Sequence, residues 1–164
     1  MLFRSDQKES DSLRFAAPQT DYKKNLTQFI AEIRAKEAIP ILATPVERRK
    51  FDGKGAFVEQ HGEYPSVVRA LARTLNVPLL DMHQKSQKVI EAHGVEGSKK
   101  MFMHWGGGFY AKHPKGVTDD THFSRYGAEL MASLAADCLI ETGHPLRSFL
   151  KKSEIGRASC RERV

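Results

Sequence analysis

Residues Thr20–Pro45, TDYKKNLTQFIAEIRAKEAIPILATP, place an amphipathic segment directly before a short apolar one. In the first part, apolar side chains recur at helical spacing and share one face: Tyr22, Leu26, Phe29, Ile30 and Ile33. Thr20 is a suitable N-cap for this helix. The segment Ile39–Pro45 is apolar at its centre and ends at a proline, which predicts a strand buried on both faces.

The same order of helix and strand recurs further along the chain. Helical spacing predicts a second helix over Tyr64–Leu75, and the apolar run Val77–Asp81 predicts a second buried strand. Further helices are predicted over Gln84–Ala92 and Arg125–Ile140, with Gly143 as the stop signal of the last one. The glycine-rich residues 101–122 between them are predicted to be irregular. This alternation predicts an α/β fold with a parallel sheet. Two strands that are covered on both faces need neighbouring strands, so we expect the sequence to be part of a domain.

Length and composition narrow the function classes. The 164 residues, 40% hydrophobic and 28% charged, fit one globular domain. No apolar run reaches the roughly eighteen residues of a membrane span, and no signal-peptide pattern is present, but we leave the cellular location open. The net charge of +6 is spread over scattered pairs, so neither nucleic acid nor membrane is predicted as a partner. The two cysteines, Cys138 and Cys160, indicate no disulfide framework.

The stretch DDTHFSRYG, Asp119–Gly127, carries the clearest chemical signal. Asp119 stands three residues before His122, and an aspartate that accepts a hydrogen bond from Nδ1 of a histidine leaves Nε2 free as a general base. The alternative is a polar helix cap, a role that the sequence assigns to Ser124. Gly127 is expected to allow close packing in the helix that follows.

The wider sequence resembles a known family. DDTHFSRYGAELMASLAADCL resembles the fifth sequence block of the SGNH (GDSL-type) hydrolases, whose Asp-x-x-His supplies the acid and the base of a catalytic triad. The segments TDYKKNLTQFIAEIRAKEAIPILATPVERRKFD, HGEYPSVVRALA and VPLLDMHQKS resemble the rhamnogalacturonan acetylesterase branch, and the resemblance covers residues 6–140 in order.

The resemblance implies a fold, an activity and site residues. The implied fold is a three-layer α/β/α parallel sheet of the flavodoxin-like SGNH type. The implied activity is that of a serine esterase that removes acetyl groups from pectin, rhamnogalacturonan or related plant-wall sugars without a cofactor or metal. Asp119 would be the triad acid and His122 the general base. His61, Tyr64 and the pair Arg48–Arg49 would border the substrate, although Tyr64 could equally pack beside its proline and the arginines could be solvated.

The sequence also departs from the family pattern. The family's nucleophile lies in a Gly-Asp-Ser block near the amino terminus, and this sequence contains no such block. We therefore expect that residues 1–152 form a partial SGNH domain without its first strands, and that this chain alone is inactive. Residues 153–164 have no apolar periodicity and resemble translated sequencing adapter, so they are expected to be an extraneous or disordered tail.

Two other functions stay open at this stage. The first is a metal-dependent hydrolase that uses His104, His113 and His122, which are evenly spaced but lack the close pairing that zinc sites favour. The second is a non-catalytic carbohydrate-binding module, in which the aromatic residues Trp105, Phe109 and Tyr110 stack on a sugar ring.

Overall fold

A computed structural model of the protein describes residues 15–150, in two compact units. Unit 1 contains the described residues up to Pro45 together with His61–Asp81, and unit 2 contains Val46–Gln60 and the described residues from Met82 onward. The predicted tail, residues 153–164, lies outside the described residues. None of the helices described here is long and apolar enough to cross a membrane.

Unit 1 combines two helices with a pair of short parallel strands. Helix α1 spans Lys23–Ala35, strand β1 spans Leu42–Ala43, helix α2 spans Tyr64–Thr74 and strand β2 spans Leu79–Leu80. Leu42 pairs with Leu79 and Ala43 with Leu80, so the predicted parallel pairing is confirmed. The core of this unit consists of Tyr22, Ile30, Leu42, Tyr64, Val67, Val68, Leu71, Ala72 and Val77.

Two local predictions for unit 1 are wrong. A π-helical turn over Pro18–Tyr22 precedes α1, and the N-cap of this turn is Ala17. Thr20 lies inside the turn and therefore does not cap α1. Neither strand is fully buried, because Ala43 in β1 is exposed while Leu42 is buried, and Leu79 and Leu80 in β2 are only half-buried.

Unit 2 contains the two remaining helices and an antiparallel pair of strands. Helix α3 spans Met82–Gly97, strand β3 Phe102–Trp105, strand β4 Val117–Phe123 and helix α4 Arg125–Thr142, and short 3-10 helices cover Ser98–Met101 and Pro145–Phe149. Helix α3 is interrupted at Gly94, whose φ of 66° is non-helical, close to the predicted end.

The prediction that residues 101–122 are irregular is wrong. Strands β3 and β4 pair in an antiparallel hairpin from Trp105↔Val117 to Phe102↔Phe123, and the glycine-rich segment 106–116 connects them. The alternation of polar and apolar residues that marks a strand is missing, because β4 is almost wholly polar. The core of unit 2 is formed by other residues, among them Ile90, Met101, Phe102 and Met131.

The start and the end of α4 are as predicted. The Ser124 hydroxyl accepts a hydrogen bond from the backbone N–H of Gly127, at 3.1 Å, and so caps the helix. Gly143 ends the helix with a φ of 69°. The described residues are thus a mixture of helix and strand, as an α/β fold requires, and the complete three-layer arrangement stays a prediction.

Candidate active site

A bulge in strand β4 brings Asp119 and His122 together. Asp119 pairs with Met103 and Phe123 pairs with Phe102, so the three residues between them on β4 have no partner on β3. In a regular strand, side chains three positions apart point to opposite faces. Here the carboxylate of Asp119 accepts hydrogen bonds from the backbone N–H groups of Thr121, at 2.7 Å, and His122, at 2.9 Å. This turn folds the chain back, so that the His122 ring reaches the Asp119 side chain.

The Asp119–His122 contact has the geometry of an acid–base pair. Nδ1 of His122 lies 2.7 Å from Oδ2 of Asp119, while Oδ1 accepts the two backbone bonds. Since a carboxylate only accepts, Nδ1 carries the proton and donates it. The His122 side chain is 69% exposed, and within residues 15–150 nothing bonds to Nε2. The unprotonated Nε2 can therefore take a proton from a hydroxyl group placed against it.

The electrostatics of Asp119 favour its ionised form. Partial burial alone would raise the pKa of the carboxyl group. The backbone N–H groups of His122 and Thr121, followed by the His122 side chain, outweigh this effect and hold the pKa below the ordinary value of 3.8. Asp119 is therefore a carboxylate at neutral pH, as a residue that orients a histidine must be.

The neighbouring Asp120 is held by a second network, which the sequence did not reveal. Its Oδ1 accepts from Nη1 of Arg49 and contacts Nε2 of His104, each at 2.7 Å, and its carbonyl oxygen accepts from the backbone N–H of Arg49 at 2.9 Å. Arg49 is only 9% exposed and also donates to Oγ of Ser98 and to the carbonyl oxygen of Val95. Arg49 thus fixes the backbone of β4 next to Asp119.

Several predicted site residues have other roles. Arg49 is buried, so the expectation of a solvated arginine is wrong at this position. Tyr64 belongs to the core of unit 1, where its hydroxyl donates to the carbonyl oxygen of Ala16 at 2.9 Å and its ring lies edge-on to Tyr22. His61 is buried in the same unit.

The three histidines of the rival metal site are not brought together. His104 bonds to Asp120 and His122 to Asp119, and His113 lies in the connection between β3 and β4. Among the described residues, the metal-ligand side chains that do converge are Glu47, Glu59 and His83.

No serine of the described residues bonds to His122. Ser86 and Ser98 are fully buried, and Ser124 caps α4. Three further serines donate to backbone carbonyl groups three or four residues before them: Ser66, Ser133 and Ser148. The described residues therefore place no serine nucleophile against the Asp119–His122 pair.

Comparisons with known proteins identify the family of the chain. The model of the GDSL-like lipase/acylhydrolase family matches residues 5–135. A rhamnogalacturonan acetylesterase of Bacillus subtilis strain 168 is 38% identical over 141 residues, which are 86% of this chain and 61% of that protein. A probable rhamnogalacturonan acetylesterase of the same strain is 33% identical over 148 residues, 90% of this chain and 64% of that protein. No solved structure matches the chain significantly.

The family match thus includes β4 and the first part of α4, where the Asp-x-x-His turn and its helix lie. The chain spans less than two thirds of the length of these two relatives. Because the family model covers most of its residues, the chain belongs to the GDSL-like lipase/acylhydrolase family.

Proposed function

We propose that this chain carries the acid and the base of a serine esterase that removes acetyl groups from rhamnogalacturonan or a related pectic polysaccharide. The observation that carries the proposal is the 2.7 Å contact between Nδ1 of His122 and Oδ2 of Asp119 in a chain of an acylhydrolase family. The names of the two Bacillus subtilis relatives support the acetylated polysaccharide as substrate.

The roles of the two residues follow from their geometry. Nε2 of His122 takes the proton from a serine hydroxyl as its oxygen attacks the acetyl carbonyl carbon. The proton then passes from Nε2 to the sugar oxygen that leaves, and an acetyl-serine forms. Water, deprotonated by the same Nε2, releases acetate and regenerates the serine. Throughout, Asp119 holds the ring and stabilises the positive charge that His122 gains.

The residues that the structure describes do not supply the nucleophile of this scheme. The sequence has no Gly-Asp-Ser block, and no serine of the described residues bonds to His122. Loss of a triad member typically costs about 10⁴ to 10⁶ in turnover, because the members act as a unit. We therefore propose that the 164-residue chain by itself does not catalyse ester hydrolysis through His122.

The test is a chimera in which a segment with the family's Gly-Asp-Ser block, taken from a rhamnogalacturonan acetylesterase, is joined ahead of residue 6. The chimera should release acetate from acetylated rhamnogalacturonan, and His122→Ala and Ser→Ala in the added block should each reduce turnover by about 10⁴ or more. His113→Ala is the matched control, because this histidine lies in the β3–β4 connection. A folded chimera whose activity survives His122→Ala would refute the assignment.

A non-catalytic carbohydrate-binding role is a second candidate, favoured by the aromatic residues between β3 and β4. Phe109 is 76% and Tyr110 54% exposed, and Tyr110 packs edge-on against Trp105 with ring centroids 5.2 Å apart. Exposed aromatic faces of this kind can stack on sugar rings. Binding of pectic oligosaccharides that is lost in Phe109→Ala but unchanged in His122→Ala would favour this role for the chain alone.

A further inference from the structure

Three potential metal ligands that are not part of the Asp119–His122 pair converge in unit 2. Glu47 and Glu59 lie near the two ends of the segment Val46–Gln60, and His83 lies in the first turn of α3. One ligand atom from each lies within 4.8 Å of the other two. Nε2 of His83 is 2.7 Å from Oε1 of Glu47 and 3.2 Å from Oε1 of Glu59.

Because these groups are largely removed from water, placing two carboxylates side by side costs free energy unless a positive charge lies between them. The Glu47 side chain is 0% exposed, that of His83 is 10% exposed and that of Glu59 is 38% exposed. Two carboxylates held this close repel each other unless a proton or a metal cation lies between them.

The surroundings hold the ligands in place without a metal. The backbone N–H of Glu47 donates to Oγ of Ser86 at 2.9 Å, and the same hydroxyl donates to the carbonyl oxygen of His83 at 3.2 Å. Ser86 is fully buried. This buried serine thereby fixes the backbones of two of the three ligands relative to each other, as supporting residues do around metal ions.

We propose that Glu47, Glu59 and His83 form a binding site for a divalent transition-metal ion, for which Zn²⁺ is the best-suited occupant. Zn²⁺ binds imidazole nitrogen and carboxylate oxygen at about 2.0–2.2 Å in tetrahedral geometry, so neighbouring ligand atoms stand about 3.3–3.6 Å apart. The observed separations of 2.7 and 3.2 Å are shorter, so binding of the ion requires the side chains to move apart by less than about 1 Å. The imidazole ligand argues against Ca²⁺ and Mg²⁺, which prefer oxygen. A bound ion would tie the segment Val46–Gln60 to α3, and nothing in this site depends on the proposed esterase.

The test measures Zn²⁺ binding to the full chain after treatment with chelator, by calorimetric titration with Zn²⁺ alone. We expect one tight equivalent and a rise in thermal midpoint on binding. His83→Gln and Glu59→Gln should each weaken this binding about a hundredfold, since even changes to supporting residues cost roughly ten- to a hundredfold. Glu59 is partly exposed, so its variant keeps the fold even if His83→Gln does not.

Matched controls come from the same helix. His93→Gln removes another α3 histidine, whose ring contacts the carbonyl oxygen of Val89 and the Tyr126 hydroxyl. Glu96→Gln removes an exposed carboxylate that pairs with Lys99. Neither should change the tight equivalent. Absence of such an equivalent in the wild-type chain, or its persistence in Glu59→Gln and in a folded His83→Gln, would mean that only protons join the three groups and would overturn the proposal.

Discussion

Gly127→Ala is expected to destabilise the protein although it replaces glycine by a better helix former. A Cβ atom at position 127 would lie 2.8 Å from the carbonyl carbon of Met101 and closer still to its oxygen, while Cβ atoms in proteins essentially never come within 3.0 Å of such atoms. The obstacle is backbone, so no side-chain rotation relieves it. Helix α4 would have to move away from Met101, to which the backbone N–H of Ser124 donates at 3.0 Å.

The expected magnitude is the difference between two effects. Alanine in place of glycine ordinarily stabilises a helix by about 0.5–1 kcal/mol. Overpacking that displaces backbone costs about 1–3 kcal/mol or more, and the capping contacts of Ser124 add to the loss if they break. We expect the free energy of unfolding to fall by about 1–3 kcal/mol net, measured by urea denaturation followed by circular dichroism.

The matched control is Gly97→Ala near the end of α3. A Cβ atom there would lie 3.7 Å from Cβ of His93, an ordinary contact, and the backbone is right-handed helical with a φ of −63°. This variant should be as stable as the parent or slightly more stable. If Gly127→Ala matches Gly97→Ala in stability, the close approach of α4 to Met101 is wrong, and with it the placement of the helix that follows the Asp119–His122 turn.

Three further predictions concern the site and its supports. Arg49→Met should lower the free energy of unfolding by about 1–3 kcal/mol in urea denaturation, because it removes the donor to the buried Ser98 hydroxyl and the ion pair with Asp120. Arg125→Met, on an exposed side chain, should cause no measurable change. A ¹³C NMR titration of the Asp119 carboxyl group should give a pKa below 3.8 in the folded protein. The contribution of Asp119 to stability is therefore present above pH 3.8 and is lost as the pH falls through the folded-state pKa. A titration midpoint above 3.8 would contradict the hydrogen bonds assigned to this carboxylate. The purified chain should hydrolyse p-nitrophenyl acetate no faster than its His122→Ala variant, and a strong His122-dependent rate would mean that the chain holds a nucleophile after all.

Local sequence signals predicted the helices and the site motif well. Pro65 near its start and the apolar residues Val67, Val68 and Leu71 placed α2, and all of them are buried. Ser124 and Gly143 predicted the two ends of α4 because capping depends on the residue itself and its immediate neighbours. Asp119 and His122 are in contact for the same reason, since the turn that joins them is made by the aspartate side chain and the next backbone N–H groups.

Features that depend on distant partners could not be predicted in this way. The sequence leaves a solvated position open for Arg48 and Arg49, yet Arg49 is buried because Ser98 and Asp120, far along the chain, accept its hydrogen bonds. The β3–β4 hairpin was missed since polar side chains fill β4. The contact between Glu47 and His83 likewise depends on the fold, because the two residues are far apart in the sequence and have no recognisable metal-ligand spacing.

The central claim, that the chain carries an oriented acid–base pair, is tested most directly by ¹⁵N NMR of the His122 ring at neutral pH. The 2.7 Å contact predicts that Nδ1 holds the proton and that Nε2 is unprotonated, with a downfield Nδ1–H signal that disappears in Asp119→Asn. Asp120→Asn is the control, because Asp120 bonds to His104 and Arg49 instead, and it should leave the His122 ring signals in place. A His122 ring that is protonated mainly at Nε2, or one that is indifferent to Asp119→Asn, would contradict the account.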